Sequence, residues 1–307
     1  SHNEHWLATE SRLREDFHIP GMLPVEIERC QRKSLMKEVY RKAGLLTARG
    51  IRVRSLEEAK AFAAEVGYPS IIKPDIGVGG DGVVKFHNEQ QLNEYFQHAN
   101  LDELFMEEFI DGTLVTFDGL TDQDGRVVHC TSHISPTGVF EVIQNNMDLY
   151  YYGLRDLDPD LEKAGRTSVE AFGIKETFFH LEFLRRVTDK KLIAMELNKR
   201  PPGGFSMDMM NFAADIDLYA EYANIVKENR FSAKFERSFF CAHVARKWGK
   251  NYRYSHEEII QRYGDKMAKA EEISEVFSAV MGNYAYLVRS PNESEILEMI
   301  HVIQEIA

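Results

Sequence analysis

The segment from Phe178 to Arg200 constrains the fold more than any other part of this 307-residue chain. Polar and apolar side chains alternate along two runs that flank Asp189, which is typical of a β-hairpin turning at that residue. In such a hairpin, Glu182 and Glu196 lie opposite each other on one face. The residues of the other face are all apolar: Leu181, Phe183, Met195 and Leu197. The pattern predicts two strands with one face in the core and one polar face.

The polar face of this hairpin has the residue types of a magnesium site. Two glutamates directly opposite each other repel unless a cation lies between them or one is protonated. Magnesium is usually held by one or two carboxylates together with nucleotide phosphates, a role that suits Glu182, Glu196 and the amide oxygen of Asn198. A solvated polar face is the alternative. For His180, which opposes Asn198, a structural role is favoured over metal binding because magnesium prefers oxygen ligands.

A second informative segment is a glycine-rich loop that follows Lys73. Its glycines are Gly77, Gly79, Gly80 and Gly82. Residues 70–74 and 83–86 both have the pattern of strands, so the local topology is strand, loop, strand. Walker and dinucleotide-binding loops instead lead into a helix, and the other signatures of protein kinases are absent. Backbone amides of such a loop can approach phosphate oxygens, although a tight hairpin is the simpler alternative.

The third segment, residues 105–112, reads Phe-Met-Glu-Glu-Phe-Ile-Asp-Gly and includes Glu107 and Glu108. It is typical of an acidic strand that leads into a turn. An edge strand with solvated glutamates explains it equally well without further context.

Taken in chain order, these motifs resemble the ATP-grasp superfamily, and most closely the branch of biotin carboxylase and carbamoyl phosphate synthetase. The resemblance covers about residues 25 to 230, and its motifs start at Lys33, Lys73, Glu107, His180 and Glu196. It implies an α+β fold in which two lobes clasp ATP, with the glycine loop in a mobile lid.

The resemblance also implies roles for individual residues. Lys33 and Lys73 would contact phosphates, together with Gly79, Gly80 and Gly82 of the loop. Glu107 would lie at the adenine with the backbone of the next residues, Glu108 to Ile110. Glu182, Glu196 and Asn198 would hold a pair of magnesium ions, with manganese as a possible substitute. Arg200, with Lys73, would act in catalysis by steadying the phosphorylated intermediate or the substrate carboxylate.

Two positions depart from the family pattern. Many relatives hold the ribose with a glutamate near position 114, where this chain has Leu114. After the arginine that matches Arg200, biotin carboxylases have a different sequence, whereas this chain has Pro201-Pro-Gly-Gly-Phe205. The second departure disfavours biotin and favours ligases that act on small molecules.

The remaining pattern predicts how the chain is organised. A helix is expected over 25–43, a long apolar helix after Gly204, a strand within 126–134, and a final helix capped by Ser290, Pro291 and Glu293. The expected domains are a remnant of a preceding domain (1–24), an N-lobe with the lid (25–110), a C-lobe with the metal site (111–230) and a small α+β appendage (231–307).

Bulk properties exclude several classes of protein. The formal net charge of −12 argues against general affinity for nucleic acid or anionic membranes. There is no apolar run of about eighteen residues and no signal-peptide pattern. Three scattered cysteines are expected to be free thiols, which fits the cytoplasm.

The expected function is ATP- and magnesium-dependent ligation, in which a small-molecule carboxylate becomes an acyl phosphate that an amine or another nucleophile attacks. A homodimer is compatible with this expectation. Two alternatives stay open: a nucleotide-binding regulator without turnover, suggested by Leu114 and the short N-terminus, and an activity of the carbamoyl phosphate synthetase or carboxylase type.

Overall fold

The computed structural model describes residues 2–77, 82–98 and 103–307. Two compact units share the chain. Unit 1 comprises Ser1–Gly112, Lys163–Ile174 and Leu181–Arg200, and unit 2 comprises Thr113–Glu162, Lys175–His180 and Pro201–Ala307. Helices and antiparallel strands occur in both units, which confirms the predicted α+β class. The four-part division of the chain stays a prediction.

Unit 1 begins with helices that precede its first strand: α1 (Leu7–Phe17), α2 (Pro24–Gln31) and α3 (Lys33–Lys42). Two later helices, α4 (Leu56–Val66) and α5 (Glu89–Phe96), lie between strands of its sheet. The single helix predicted over 25–43 is wrong, because Arg32 has extended backbone angles and separates α2 from α3. Arg32 forms a β-bridge with Ile76 and an ion pair with Asp75, so tertiary contacts interrupt a helical pattern at this residue.

The sheet of unit 1 has four antiparallel strands. They are β1 (Gly50–Val53), β2 (Ser70–Pro74), β3 (Val84–Phe86) and β4 (Leu104–Glu108), in the order β1-β4-β2-β3. Ser70 pairs with Phe86, which confirms the strand-loop-strand topology. Gly82 in the connection has a φ of +69°, a backbone conformation that favours glycine. Gly79 and Gly80 lie outside the described residues.

The predicted hairpin is present. Strands β9 (Phe178–Arg186) and β10 (Leu192–Asn198) are neighbours, and Asp189 lies in their connection, where it accepts hydrogen bonds from Arg186. The predicted apolar face is buried at Leu181, Phe183 and Leu197. The pairing of Glu182 with Glu196 across the strands stays a prediction.

Unit 2 contains most of the remaining strands. They are β5 (Gly112–Thr121), β6 (Val127–Thr131), β7 (His133–Ser135), β8 (Tyr150–Gly153), β11 (Phe240–Arg246), β12 (Met267–Glu272) and β13 (Tyr284–Ser290). Strand β5 pairs with β6 and β7, β7 with β8, β8 with β11, and β11 with β13, all antiparallel. The one strand predicted within 126–134 is two strands, because β7 leaves β6 at Ser132 to pair with β8.

The helices of unit 2 correct two further predictions. These helices are α6 (Val139–Gln144), α8 (Ser206–Ala214), α9 (Leu218–Glu228), α10 (His256–Tyr263), α11 (Ser278–Met281) and α12 (Glu293–Gln304). Helix α7 (Pro159–Phe172) starts in unit 2 and continues in unit 1. The long helix expected after Gly204 is divided at Asp215, which has left-handed backbone angles, and Asp217 caps α9. The cap of α12 is Asn292 and not Ser290.

The core of unit 2 includes a cluster that joins β11 and β13 to α12, with Val244, Tyr286 and Ile303 nearly inaccessible to solvent. All three cysteines are free and buried, as expected. Within the described ranges, no helix is both long and apolar enough to cross a membrane.

Candidate nucleotide and metal site

The first turn of α3 brings Lys33 to the start of the glycine loop. Its ammonium donates a hydrogen bond to the carbonyl oxygen of Gly77 at 2.7 Å, and it lies 3.8 Å from the carboxylate of Glu196. The backbone N–H of Lys33 donates to the carbonyl oxygen of Asp75. A predicted phosphate ligand and a predicted metal ligand are therefore in direct charge contact within unit 1.

Asp75 fixes the start of α3 to the end of β2. This fully buried carboxylate accepts hydrogen bonds from the backbone N–H of Ser34 at 2.7 Å and from its hydroxyl at 2.8 Å. It also pairs with Arg32 at 3.1 Å. The prediction missed Asp75, although its place two residues after Lys73 and just before the loop was a usable signal. The contact holds Lys33 and Lys73 at a fixed spacing.

Glu107 lies between two lysines. One carboxylate oxygen is 2.5 Å from the ammonium of Lys73, and the other contacts Lys37. All three side chains are buried. Burial alone would raise the pKa of Glu107, but the charges of Lys37 and Lys73 outweigh it and lower the pKa to about 2. Lys37 was not predicted, although it follows Lys33 by one helical turn.

The pKa of Lys73 also depends on the glutamates predicted to bind the metal. Burial lowers its pKa, but the negative charges of Glu107, Glu196 and Glu182 outweigh burial, so the net shift is upward. Glu182 and Glu196 are therefore both within electrostatic reach of the ammonium of Lys73. The structure thus brings the predicted phosphate lysines and the predicted metal carboxylates together in unit 1.

Asn198 and Arg200 complete this part of the site. The guanidinium of Arg200 donates to the side-chain oxygen of Asn198 at 3.3 Å, and it lies 3.8 Å from the carboxylate of Glu4. Asn198 is buried, and Glu196 is about one-fifth exposed. The guanidinium of Arg200 thus places a fixed positive charge beside Asn198, a predicted metal ligand.

The residues present suit magnesium. Among the described residues, no three or more His, Cys, Asp and Glu side chains form a ready-made metal site. A magnesium ion bound with a nucleotide does not need one, because phosphates and water supply its other ligands. Two carboxylates and an amide oxygen match that requirement, and the ammonium of Lys33 lies 3.8 Å from the Glu196 carboxylate.

The other predicted nucleotide ligands lie at the end of β4. Glu108 has its carboxylate paired with Arg49 at 2.8 Å, and its backbone N–H donates to the carbonyl oxygen of Arg49 at 3.0 Å. The side chain of Ile110 packs with Ala48 and Ile193. Leu114, the departure at the expected ribose position, pairs with Ser135 on β7.

His180 belongs to a buried polar cluster in unit 2. Its Nδ1 lies 2.5 Å from one oxygen of Asp118, and the Nδ1 of His133 lies 2.7 Å from the other. Thr116 donates its hydroxyl to the same carboxylate. Burial would raise the pKa of Asp118, but the two histidines outweigh it and hold the pKa well below its usual range. These contacts give His180 a structural role that needs no metal ion.

Comparisons with known proteins bear on the fold and on the sequence family. The sequence profile of the family described as "Carbamoyl-phosphate synthase L chain, ATP binding domain" matches residues 32–135. An uncharacterized protein of Sinorhizobium fredii is 24% identical over 233 residues, which are 72% of this chain and 47% of that protein. The chain spans less than half the length of the curated relatives that it matches, the shares being 13% to 47% for three of them.

Two solved structures share the fold over nearly the whole chain. An L-amino acid ligase from Bacillus licheniformis superposes with a TM-score of 0.75 at 18% identity, covering 98% of this chain and 77% of that one. The biotin carboxylase domain of the 2-oxoglutarate carboxylase of Hydrogenobacter thermophilus superposes with a TM-score of 0.71 at 22% identity, covering 100% and 72%. At these identities the likeness establishes the fold.

The chain therefore has the ATP-grasp fold that its motifs predicted. The matched profile over residues 32–135 and the similarity to carbamoyl phosphate synthase large chains agree with the branch that the motifs resemble.

Proposed function

We propose that this protein is an ATP- and magnesium-dependent ligase that activates a small-molecule carboxylate. An oxygen of the carboxylate attacks the γ-phosphorus of ATP, the bond to the β-phosphate oxygen breaks, and ADP leaves. An amine or another nucleophile then attacks the acyl phosphate, and inorganic phosphate leaves. The observation that carries the proposal is the contact of Lys33 with both Gly77 and Glu196, which joins the glycine loop to the metal-site carboxylates.

Each group of residues has a proposed role in that reaction. The ammonium groups of Lys33 and Lys73 bind phosphate oxygens, together with the loop glycines Gly79, Gly80 and Gly82. Positive charge held in a buried site stabilises the charge that develops on the transferred phosphoryl group. The end of β4 receives the adenine, through Glu107 and the backbone of Glu108 to Ile110.

The proposed metal ligands are Glu182, Glu196 and Asn198. Magnesium, or manganese in its place, would neutralise phosphate charge there, and a pair of ions is compatible with two carboxylates. Binding of a cation to Glu196 removes the partner that Lys33 contacts at 3.8 Å in this structure. Lys33 is then free to bind phosphate, so metal and nucleotide are expected to bind cooperatively.

The proposed partners follow the same chemistry. One related structure is described as a dimer complexed with MgADP, ADP and bicarbonate, and another as an L-amino acid ligase. We propose that this chain takes ATP, a carboxylate and a nucleophile, and that it forms a homodimer. Bicarbonate, the substrate of a carboxylase-type reaction, belongs in the same substrate screen.

The decisive experiment measures ADP release from MgATP with a panel of amino acids, other carboxylates and bicarbonate, with and without hydroxylamine. We expect one class of carboxylate to stimulate ADP release and to give a hydroxamate, because hydroxylamine intercepts an acyl phosphate. Glu196→Gln should abolish both signals, whereas Lys42→Met, at an exposed lysine on α3, should change neither. Binding of MgATP without turnover on any substrate would support a regulator instead. ADP release without hydroxamate would overturn the acyl-phosphate step.

A further inference from the structure

The buried triad of Lys37, Glu107 and Lys73 carries more positive than negative charge. Lys37 and Lys73 each contact a different oxygen of the single Glu107 carboxylate. Only 1% of the Lys37 side chain and 2% of the Glu107 side chain are exposed, so water does not screen these charges. Two ammonium groups and one carboxylate leave the triad itself with one surplus positive charge.

The Lys37 ammonium is incompletely satisfied. An ammonium group has three N–H donors, yet within the part of the chain that the structure describes the Lys37 Nζ has no hydrogen bond of normal geometry. Its contact with Glu107 is its ion pair. A buried cation costs free energy unless an anion or acceptor compensates it, so such a group is retained where its charge has a use.

We propose that Lys37 is a positioning residue for the nucleotide phosphates. Lys37 pairs with one oxygen of the Glu107 carboxylate, so Glu107 neutralises the charge of Lys73 only in part and Lys73 can also bind a phosphate. This inference rests on the proposed function, since it assigns a role within the same ATP site. Lys37 itself does not need to touch the nucleotide. Its effect passes through Glu107 to Lys73.

The charge count gives the expected behaviour of variants. Without Lys37, Glu107 and Lys73 form a neutral one-to-one pair, and a phosphate must compete with a buried carboxylate for Lys73. Removing the charge of Glu107 as well releases Lys73 and restores the single surplus positive charge. Affinity for phosphates should therefore fall in Lys37→Met and recover in the double variant Lys37→Met/Glu107→Gln. A purely structural role for Lys37 predicts the opposite, because the second change removes one more buried partner.

The test measures the binding of MgATP, MgADP and adenosine by calorimetry to the full chain and its variants. Lys37→Met should weaken MgATP and MgADP by roughly tenfold, the size expected for one charged contact, and should leave adenosine within about threefold. The adenosine affinity of the double variant reports any change at the adenine contact of Glu107. Relative to adenosine, the affinity of the double variant for MgATP should return to within about threefold of the unmodified chain. Lys42→Met is the matched control, because this exposed lysine lies on the same helix and should have no effect. Thermal unfolding of each variant verifies that it is folded.

Several results would overturn the inference. A double variant whose affinity for MgATP relative to adenosine is lower than that of Lys37→Met would make the triad a structural element only. An equal loss for adenosine would assign Lys37 to the base instead of the phosphates. Unchanged MgATP affinity in Lys37→Met would refute the inference and leave the proposed function intact. An unmodified chain that binds no MgATP would refute both.

Discussion

Arg200 is the residue at which binding and catalysis are most clearly separable. It lies two residues beyond the end of β10, and its guanidinium donates to the side-chain oxygen of Asn198 at 3.3 Å. Its other contact within reach is the Glu4 carboxylate, at 3.8 Å. A planar guanidinium can bind a carboxylate or an acyl phosphate through two parallel hydrogen bonds.

We predict that Arg200→Lys changes the affinity for MgATP little and lowers turnover by roughly a hundredfold or more, because lysine keeps the charge but loses the planar fork. Steady-state kinetics at saturating carboxylate, with calorimetry for MgATP, measures both effects. Recovery of the full rate at saturating substrate would mean that Arg200 anchors the ground-state substrate only.

At the scale of secondary-structure elements, the pairing of β5 with β6 leaves no room for a side chain at Gly119. A Cβ atom at this position would lie 2.7 Å from the ring of Phe179 and would collide with the carbonyl oxygen of His129. Gly119 follows Asp118, which holds His133 and His180. The absence of a side chain at one residue therefore allows the strand pairing that positions the polar cluster.

We predict that Gly119→Ala lowers the free energy of unfolding by about 2–3 kcal/mol, because the backbone of β6 must move to admit the methyl group. Urea denaturation should show the loss. Gly264→Ala is the control, since nothing lies within 4 Å of a Cβ at that exposed position. Gly→Ala stabilises a protein through the unfolded chain, so equal losses in the two variants would show that the close contact at Gly119 is not the cause.

For the molecule as a whole, buried histidines link stability to pH. Burial lowers the pKa of His129 from 6.5 to about 3 and that of His243 to about 4, with Arg237 adding to the effect at His129. The unfolded chain therefore takes up protons between pH 6.5 and these values that the folded chain does not. The free energy of unfolding therefore loses nothing to these two histidines above pH 6.5, and it falls as the pH decreases below that value.

We predict that His129→Gln removes about 2 kcal/mol of the stability loss that the unmodified chain shows between pH 7 and pH 5. The free energy of unfolding, measured by denaturant titration at a series of pH values, gives this slope. His301→Gln, at an exposed residue of α12, should leave the slope unchanged. A variant with the same pH slope as the unmodified chain would mean that His129 is protonated in the folded state.

The sequence by itself determined the elements whose signals are local. Ser55 caps α4 by accepting a hydrogen bond from the N–H of Glu58, three residues later, and the alternation from Phe178 to Arg200 gave the hairpin of β9 and β10. These signals work because helix caps, turns and side-chain periodicity depend on residues only a few positions apart. The order of the motifs was also sufficient to predict the ATP-grasp fold, because each motif keeps its place along the chain.

Only the tertiary structure decided which charges meet. Glu107 contacts Lys37, which is far away in the sequence, and Asp118 joins His133 to His180 across unit 2. Arg32 breaks a helical pattern for the same reason, since its partner Asp75 comes from another element. Local periodicity carries no information about such pairs. They form because packing the apolar faces of the strands and helices brings these polar groups together, and burial then requires that each charge has a partner.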